Sequence, residues 1–124
     1  MMTSESFETN IASLLGKKGW VISEHSLPWQ RDWLDKYGET PIGVARPSST
    51  EEVSKVLKLC KKHSINIAIQ GGNTGLVGGS VLVKRKGIIL SLDRMNKVLR
   101  IDDTSKTVTL ESGVILEQLH ELLK

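Results

Sequence analysis

The sequence predicts an α/β fold, and three observations support this prediction. An amphipathic helical pattern follows the short apolar run at residues 41–47, and a β-branched run at residues 66–70 follows that helix. Strand, helix and strand thus succeed one another within about 30 residues, the length of a βαβ unit. Beyond a glycine-rich segment, three further short runs of alternating character predict more strands, and a final helix follows them. With 124 residues, the chain is one domain or part of one.

The first 40 residues predict one amphipathic helix and an irregular segment. The helix has four apolar residues at helical spacing and ends near two glycines: Phe7, Ile11, Leu14 and Leu15, then Gly16 and Gly19. Residues 20–38 show no regular pattern, and we expect a loop there with one turn near residues 31–37. The same region contains all three tryptophans, Trp20, Trp29 and Trp33, which are either core or interface anchors.

The second helix is the best-defined element of the sequence. The run PIGVARP, residues 41–47, is bracketed by prolines and predicts the end of a strand. Ser49 and Glu52 then form a capping box, in which the Ser49 hydroxyl accepts from the Glu52 amide and the Glu52 side chain reaches back. The predicted buried stripe consists of Val53, Val56, Leu57 and Cys60. Cys60, the single cysteine, is interpreted as a buried small hydrophobe.

The strands after this helix follow from short apolar runs. Residues 66–70 predict a buried strand that runs parallel to the strand before the helix, after a right-handed crossover. Residues 88–92, 98–102 and 107–111 predict three more strands, the last two joined by the turn DTSK. A helix begins near Ile115. Because the sequence stops at Lys124 with no capping residue, we interpret the chain as a truncated polypeptide.

The segment IAIQGGNTGLVGGS, residues 67–80, holds five of the eleven glycines within nine positions. The P-loop pattern fails because no lysine occupies the required place, and G-x-G-x-x-G fails on the glycine spacing. A Rossmann fold also needs a helix directly after the glycines, whereas residues 76–87 are rich in glycine and valine. We therefore do not assign Asp93, about 20 residues beyond the loop, the ribose-binding role that such a fold would give it.

This glycine segment offers backbone donors instead. Residues 70–80 contain no proline, so every position keeps its N–H group, and the glycines remove Cβ atoms that would block a close approach. Successive N–H groups can form an anion-binding nest for a pyrophosphate at the carboxyl end of a strand. The alternative is that the glycines only allow tight turns and close packing.

Composition and charge exclude several other classes of function. The formal charge is +3, and only 4% of residues are aromatic, so no basic run is interleaved with stacking rings and nucleic acid binding is not expected. His25, His63 and His120 lack ligand spacing, and no metal site is predicted within the chain. No apolar run approaches a bilayer span, and with one cysteine and no signal peptide we expect a cytoplasmic location.

The run RPSSTEEVSKVLKLCKKHSINIAIQGGNTGLVGGS resembles the first half of the PCMH-type FAD-binding domain of the vanillyl-alcohol oxidase and p-cresol methylhydroxylase superfamily. It resembles in particular the branch with FAD-linked D-2-hydroxyglutarate and D-lactate dehydrogenases. LSLDRMNKVLRID and TVTLESGVILEQL follow in the family's order. The resemblance implies two regions, an N-terminal helix and irregular segment at residues 1–40 and the first part of an FAD-binding domain at residues 41–124.

The resemblance also implies the residues that bind FAD. The glycine loop would wrap the pyrophosphate, and two residues after the next strand would lie near the adenosine half: Gly71, Gly72, Asn73, Thr74, Gly75, Gly78, Gly79 and Ser80, then Met95 and Asn96. Members with bicovalent flavin have a histidine after the two glycines, where this chain has Asn73. The resemblance therefore implies FAD held without a covalent bond at this position.

The implied activity is oxidation of a small D-2-hydroxy acid, with electrons passed to a downstream acceptor. In this family the substrate-binding residues belong to a later cap domain, so no catalytic residue is assigned within these 124 residues, and the oligomeric state is not predicted. Two alternatives stay open at this point. One is a non-catalytic phosphate- or nucleotide-binding module, and the other is a flavoenzyme of the same fold that acts on another substrate such as a UDP-sugar.

Overall fold

The computed structural model describes residues 4–30, 41–71 and 87–124. The helices in these ranges are α1 (Ser4–Gly19), α2 (Leu27–Gln30), α3 (Thr50–His63) and α4 (Leu116–Leu122). The strands are β1 (Trp20–Ile22), β2 (Gly43–Ala45), β3 (Asn66–Gln70), β4 (Gly87–Ser91), β5 (Val98–Asp102) and β6 (Thr107–Leu110). The predicted α/β class is confirmed. None of the helices in the described ranges is long and apolar enough to cross a membrane.

Four strands form the main sheet in the order β1, β2, β4, β3. Strands β2 and β3 both pair with β4 in parallel, and β1 pairs antiparallel with β2. The predicted parallel strand–helix–strand unit is confirmed, with β4 between its two strands. As a central strand, β4 is buried at all five positions. The carboxyl ends of β2, β4 and β3 therefore meet at one edge of the sheet.

The two faces of the sheet are covered by different elements. Side chains alternate along β4, so Ile88 and Leu90 face the core formed with α1 and α3. Ile89 faces the opposite side, where Trp29 of α2 packs against it together with Val44 and Ala68. Trp20 lies in the first core, with its ring edge-on to Phe7. Thus Trp20 is a core anchor, and Trp29 holds α2 against the other face.

The start of α3 shows the predicted cap with one difference. Ser49 Oγ accepts from the Glu52 amide at 3.1 Å, as the capping box predicts. The Glu52 carboxylate reaches back to Ser48 rather than Ser49, accepting from its amide at 2.7 Å and its hydroxyl at 2.9 Å. The hydrogen bond from the Ser48 backbone is the largest cause of the lowered pKa of Glu52.

The predicted stripe of α3 is partly wrong. Val56 and Cys60 are buried, but Leu57 is 42% exposed. Leu59 packs against the core in place of Leu57, because it lies on the face of α3 that is directed toward α1. This face contains positions 56, 59, 60 and 63, which have the i, i+3, i+4, i+7 spacing of one side of a helix. Burial of Cys60 raises the pKa of its thiol to about 11, as befits a packed, unreactive side chain.

Two predictions about the strands and loops need correction. Residues 20–38 were expected to be irregular, but they begin with β1, because Val21 and its neighbours pair with β2. A 3₁₀ turn, Ser23–His25, and α2 follow, whereas the predicted turn at residues 31–37 lies outside the described residues. The prediction that β3 is buried is also wrong in part: β3 is at the edge of the sheet among the described strands, and Ile69 is 56% exposed.

Beyond β4 the chain forms a separate hairpin. Strands β5 and β6 pair antiparallel, and the predicted DTSK turn joins them. Asp102 Oδ1 accepts from the amides of Thr104 and Ser105 at 3.0 and 3.2 Å. These bonds, the one from Ser105 first, lower the pKa of Asp102. Lys106 completes the turn with a φ of 58°, in the left-handed region.

Candidate functional site

A cleft of about 270 Å³ lies at the carboxyl edge of the main sheet. The ends of β3 and β4 form its floor, which is where open α/β sheets bind ligands. Its lining comes from four segments: Gln70 and Gly71 at the end of β3, Ser91, Asp93 and Asn96 at and beyond the end of β4, Pro28 and Trp29 of α2, and Gly113, Ile115 and Gln118 around the start of α4. The topology thus brings together residues that are far apart in the sequence.

Gly71 marks the point where the glycine-rich segment leaves β3. A Cβ atom built on Gly71 meets nothing within 4 Å, so the space above the end of this strand is open in the described structure. Of the ten residues predicted to bind the cofactor, Gly71, Met95 and Asn96 are described. The others lie outside the described residues: Gly72, Asn73, Thr74, Gly75, Gly78, Gly79 and Ser80.

Met95 and Asn96 have different surroundings. Asn96 is exposed and lines the cleft. Met95 is 7% exposed and is not one of the lining residues, and its carbonyl accepts from the Gly113 amide at 2.8 Å. Only glycine fits at position 113, because a Cβ atom there would overlap the Leu92 carbonyl and come within 2.8 Å of the Met95 carbonyl oxygen. The turn after β4 and the segment before α4 are therefore tightly joined beside the cleft.

One wall of the cleft is a network around Trp29. Asp93 accepts from Arg46 Nε at 2.9 Å and from Trp29 Nε1 at 3.2 Å. The Arg46 guanidinium lies over the Trp29 ring, 5.3 Å from its centroid, at a cation–π distance. Gln70 Nε2 donates to the Trp29 carbonyl at 2.8 Å. Asp93, which the sequence placed where a Rossmann fold has its ribose-binding acid, is thus held by Arg46 and Trp29.

The described part of the cleft has the groups of a binding site. Its side chains include three amides, one hydroxyl and one indole, from Gln70, Asn96, Gln118, Ser91 and Trp29. The carboxylate of Asp93 is its one charged lining group among the described residues, and Arg46 offsets that charge. Within the same ranges no group of three His, Cys, Asp or Glu side chains could hold a metal ion. Such a lining offers hydrogen-bond donors and acceptors to a polar ligand.

A family model described as an FAD binding domain matches residues 41–124. The chain belongs to this family. The cleft fits that assignment, because its lining of amides, a hydroxyl and an indole suits part of a dinucleotide. FAD is therefore the cofactor of this FAD-binding domain, as the resemblance implied.

Two named enzymes are similar in sequence to this chain. The mitochondrial D-2-hydroxyglutarate dehydrogenase of Arabidopsis thaliana is 39% identical over 111 residues, which are 89% of this chain and 20% of that enzyme. The mitochondrial D-2-hydroxyglutarate dehydrogenase of Danio rerio is 42% identical over 93 residues, 75% of this chain and 17% of that enzyme. The chain thus spans about a fifth of the length of these relatives.

A solved structure confirms the superfamily. The substrate-bound crystal structure of p-cresol methylhydroxylase matches 97% of this chain and 24% of its own, with a TM-score of 0.82 and 25% sequence identity. The resemblance of the FAD-binding domain to the vanillyl-alcohol oxidase and p-cresol methylhydroxylase superfamily is confirmed.

The prediction of a cytoplasmic location is wrong. The matched enzymes of Arabidopsis thaliana, Danio rerio and Rattus norvegicus are all named mitochondrial. The prediction used one cysteine and the lack of an apolar leader, and both features fit more than one compartment. Mitochondrial targeting segments are amphipathic and not apolar, so this criterion does not detect them.

The sequence argument missed several residues of the cleft of the FAD-binding domain. Gln70 and Asp93 carry a detectable signal, because Gln70 is a polar residue that ends an apolar strand and Asp93 is one that follows the next apolar run. Gly113 also carries one, as a glycine between a predicted strand and helix. Trp29 and Arg46 carry none, because their place depends on contacts with segments far along the chain.

Proposed function

We propose that the whole protein is an FAD-dependent oxidoreductase that oxidises a D-2-hydroxy acid, and that this chain supplies the cradle for the cofactor. The observation that carries the proposal is the cleft at the carboxyl edge of the sheet, which opens where the glycine segment leaves β3 at Gly71. The FAD-binding family and relatives named D-2-hydroxyglutarate dehydrogenases support it.

The proposed roles follow from backbone chemistry. The N–H groups of Gly71 and of the residues after it hold the pyrophosphate, and the side chains of Asn73, Thr74 and Ser80 add donors. Asn96, at the exposed side of the turn after β4, lies near the adenosine half, and Met95 supports that turn from the interior. No residue of this set carries a positive charge, so backbone and neutral side-chain dipoles bind the anion.

FAD bound there supplies a two-electron acceptor for the hydride from C2 of the substrate. Asn73 occupies the position where bicovalent members have histidine, and we propose that the flavin is held without a covalent bond there. Substrate and electron acceptor then bind to other parts of the whole protein, which matches the lack of an assigned catalytic residue in this chain.

We also propose the division of the chain that the resemblance implies, with residues 41–124 as the first part of the FAD-binding domain. The described residues before it, 4–30, contribute to the same core. Phe7, Ile11 and Leu15 of α1 pack with Ile88 and Leu90 of β4. Residues 4–30 therefore belong to the same hydrophobic core and do not form a separately folded unit.

Anaerobic reduction of the flavin tests the proposed activity. The purified whole protein should carry FAD, and its visible flavin absorbance should fall on addition of D-2-hydroxyglutarate or D-lactate. The L-enantiomers are the matched controls and should leave the spectrum unchanged. Bound FAD that no D-2-hydroxy acid reduces would contradict the substrate class, and a protein without flavin would favour a non-catalytic nucleotide-binding module.

A further inference from the structure

We propose that Trp29 is a positioning residue for the cofactor: α2 acts as a clamp across the carboxyl edge of the sheet, and Trp29 fixes one wall of the FAD cleft. This inference rests on the proposed function, since it takes the cleft to be the FAD site. Trp29 lies outside residues 41–124, the part that matches the FAD-binding family. An N-terminal segment would thus determine how tightly the domain holds its cofactor.

The backbone of Trp29 is fixed by β3. Gln70, the last residue of β3, is 2% exposed and donates from Nε2 to the Trp29 carbonyl at 2.8 Å. A buried amide needs such a partner, because an unsatisfied one is strongly unfavourable. The next residue, Gly71, begins the glycine segment. Trp29 is therefore held by the residue that directly precedes the glycine segment.

The ring of Trp29 is fixed by the other two parallel strands. Asp93, after β4, accepts from the indole Nε1 at 3.2 Å, and Arg46, after β2, lies over the ring at 5.3 Å. The ion pair between Arg46 and Asp93, at 2.9 Å, holds these two partners together. Each of the three parallel strands thus contributes one contact to Trp29 at its carboxyl end.

The competing explanation is that Trp29 only fills space against the sheet. Its ring packs beside Val44, Ala68 and Ile89, so a purely structural role would require only a bulky apolar side chain at this position. The two explanations differ in what the indole N–H does. A packing role depends on ring volume alone, whereas the clamp depends on the bond to Asp93.

Trp29→Phe separates these explanations, because it keeps an aromatic ring beside Arg46 and the sheet but removes the Nε1 donor. The test uses the whole protein and measures the FAD dissociation constant, the visible circular dichroism of the bound flavin, and the melting temperature of the FAD-free form. We expect Trp29→Phe to weaken FAD binding about tenfold, because the ring loses one of the contacts that hold it in the wall of the cleft. The visible circular dichroism should change, and the melting temperature of the FAD-free form should fall by no more than the loss of one intramolecular hydrogen bond explains.

Two further variants keep the test decisive. Trp29→Leu removes ring and donor and should weaken FAD binding more than Trp29→Phe. Trp20→Phe is the matched control, because Trp20 packs against Phe7 in the core on the other face of the sheet. It should lower the melting temperature and leave the FAD dissociation constant within about twofold of wild type.

The outcomes distinguish this inference from the proposed function. Unchanged FAD affinity and circular dichroism in Trp29→Phe would overturn the clamp and leave Trp29 as packing. If the wild-type whole protein itself binds no FAD, the proposed function fails instead. If Trp29→Leu does not fold, Trp29→Phe still decides the question.

Discussion

Arg46 Nε lies 2.9 Å from Asp93 Oδ1, and this ion pair ties the segment after β2 to the turn after β4. The two side chains are 28% and 34% exposed, so water screens the pair only in part. It crosses the carboxyl edge of the sheet beside the cleft, where it holds two strand ends at a fixed separation.

A double-mutant cycle measures the strength of this pair. With Arg46→Ala, Asp93→Ala and the double variant, we expect a coupling free energy of unfolding of about 1 kcal/mol at low salt. The exposed pair Glu51 and Lys55, one turn apart on α3, is the control and should give about 0.3–0.5 kcal/mol. Urea denaturation of the chain supplies the values. A coupling free energy near zero for Arg46 and Asp93 would show that their contact does not stabilise the fold.

Gly113 and Gly71 should respond differently to alanine. Gly113→Ala forces a Cβ atom into the Leu92 carbonyl, so we expect the free energy of unfolding to fall by about 1–3 kcal/mol. Gly71→Ala places its Cβ atom where no described atom lies within 4 Å and should change the unfolding free energy of the chain by less than about 0.5 kcal/mol. Equal effects of the two substitutions on urea denaturation would contradict the close approach at Gly113.

The cap of α3 gives a third prediction. Ser49→Ala removes the hydroxyl that accepts from the Glu52 amide and should lower the free energy of unfolding by about 1 kcal/mol. Ser54→Ala, on the exposed middle of the same helix, is the matched control and should be neutral or slightly stabilising. If the two serine variants unfold at the same urea concentration, the cap does not stabilise α3 as described.

Glu52 makes the stability of α3 sensitive to acid. Hydrogen bonds from Ser48 lower its pKa in the folded chain below the ordinary value of 4.5. Its stabilising contribution is therefore complete above pH 4.5 and is lost as the pH falls through the lower, folded-state pKa. Wild type should be more stable than Glu52→Gln at pH 7, and the difference should shrink below pH 4.5. Urea denaturation across this range is the measurement, and a difference that grows on acidification would contradict the assignment.

Local patterns predicted much of this fold because they depend on neighbouring residues. The capping box, the hairpin turn after Asp102 and the strand after α3 each lie within a few residues of the signal that predicts them. β1 was missed because its three residues carry too short a pattern, and pairing with β2 decides its conformation. Leu57 was misplaced because the direction of α1 selects which face of α3 is buried.

The candidate site also has a part that local sequence patterns predict and a part that depends on distant contacts. The glycine segment and its place after a strand are visible in the sequence, so the position of the cleft at Gly71 was predictable. Trp29 and Asp93 are 64 residues apart, and no local pattern connects an indole in an irregular segment to a carboxylate after a later strand. Contacts of this kind depend on the order of strands in the sheet, which placed β4 between β2 and β3.

FAD retention by variants of the glycine segment tests the central proposal most directly. Gly72→Val and Gly75→Val in the whole protein should abolish FAD binding, because a β-branched side chain disfavours positive φ and fills the space for the phosphates. Asn73→Ala should weaken binding by only about 1 kcal/mol. Ser49→Ala is the control that destabilises the chain away from the cleft, and it should keep its FAD. The ratio of flavin absorbance to protein absorbance after gel filtration is the measurement: near zero for both valine variants is the expected result, and full FAD content in both would contradict the proposal.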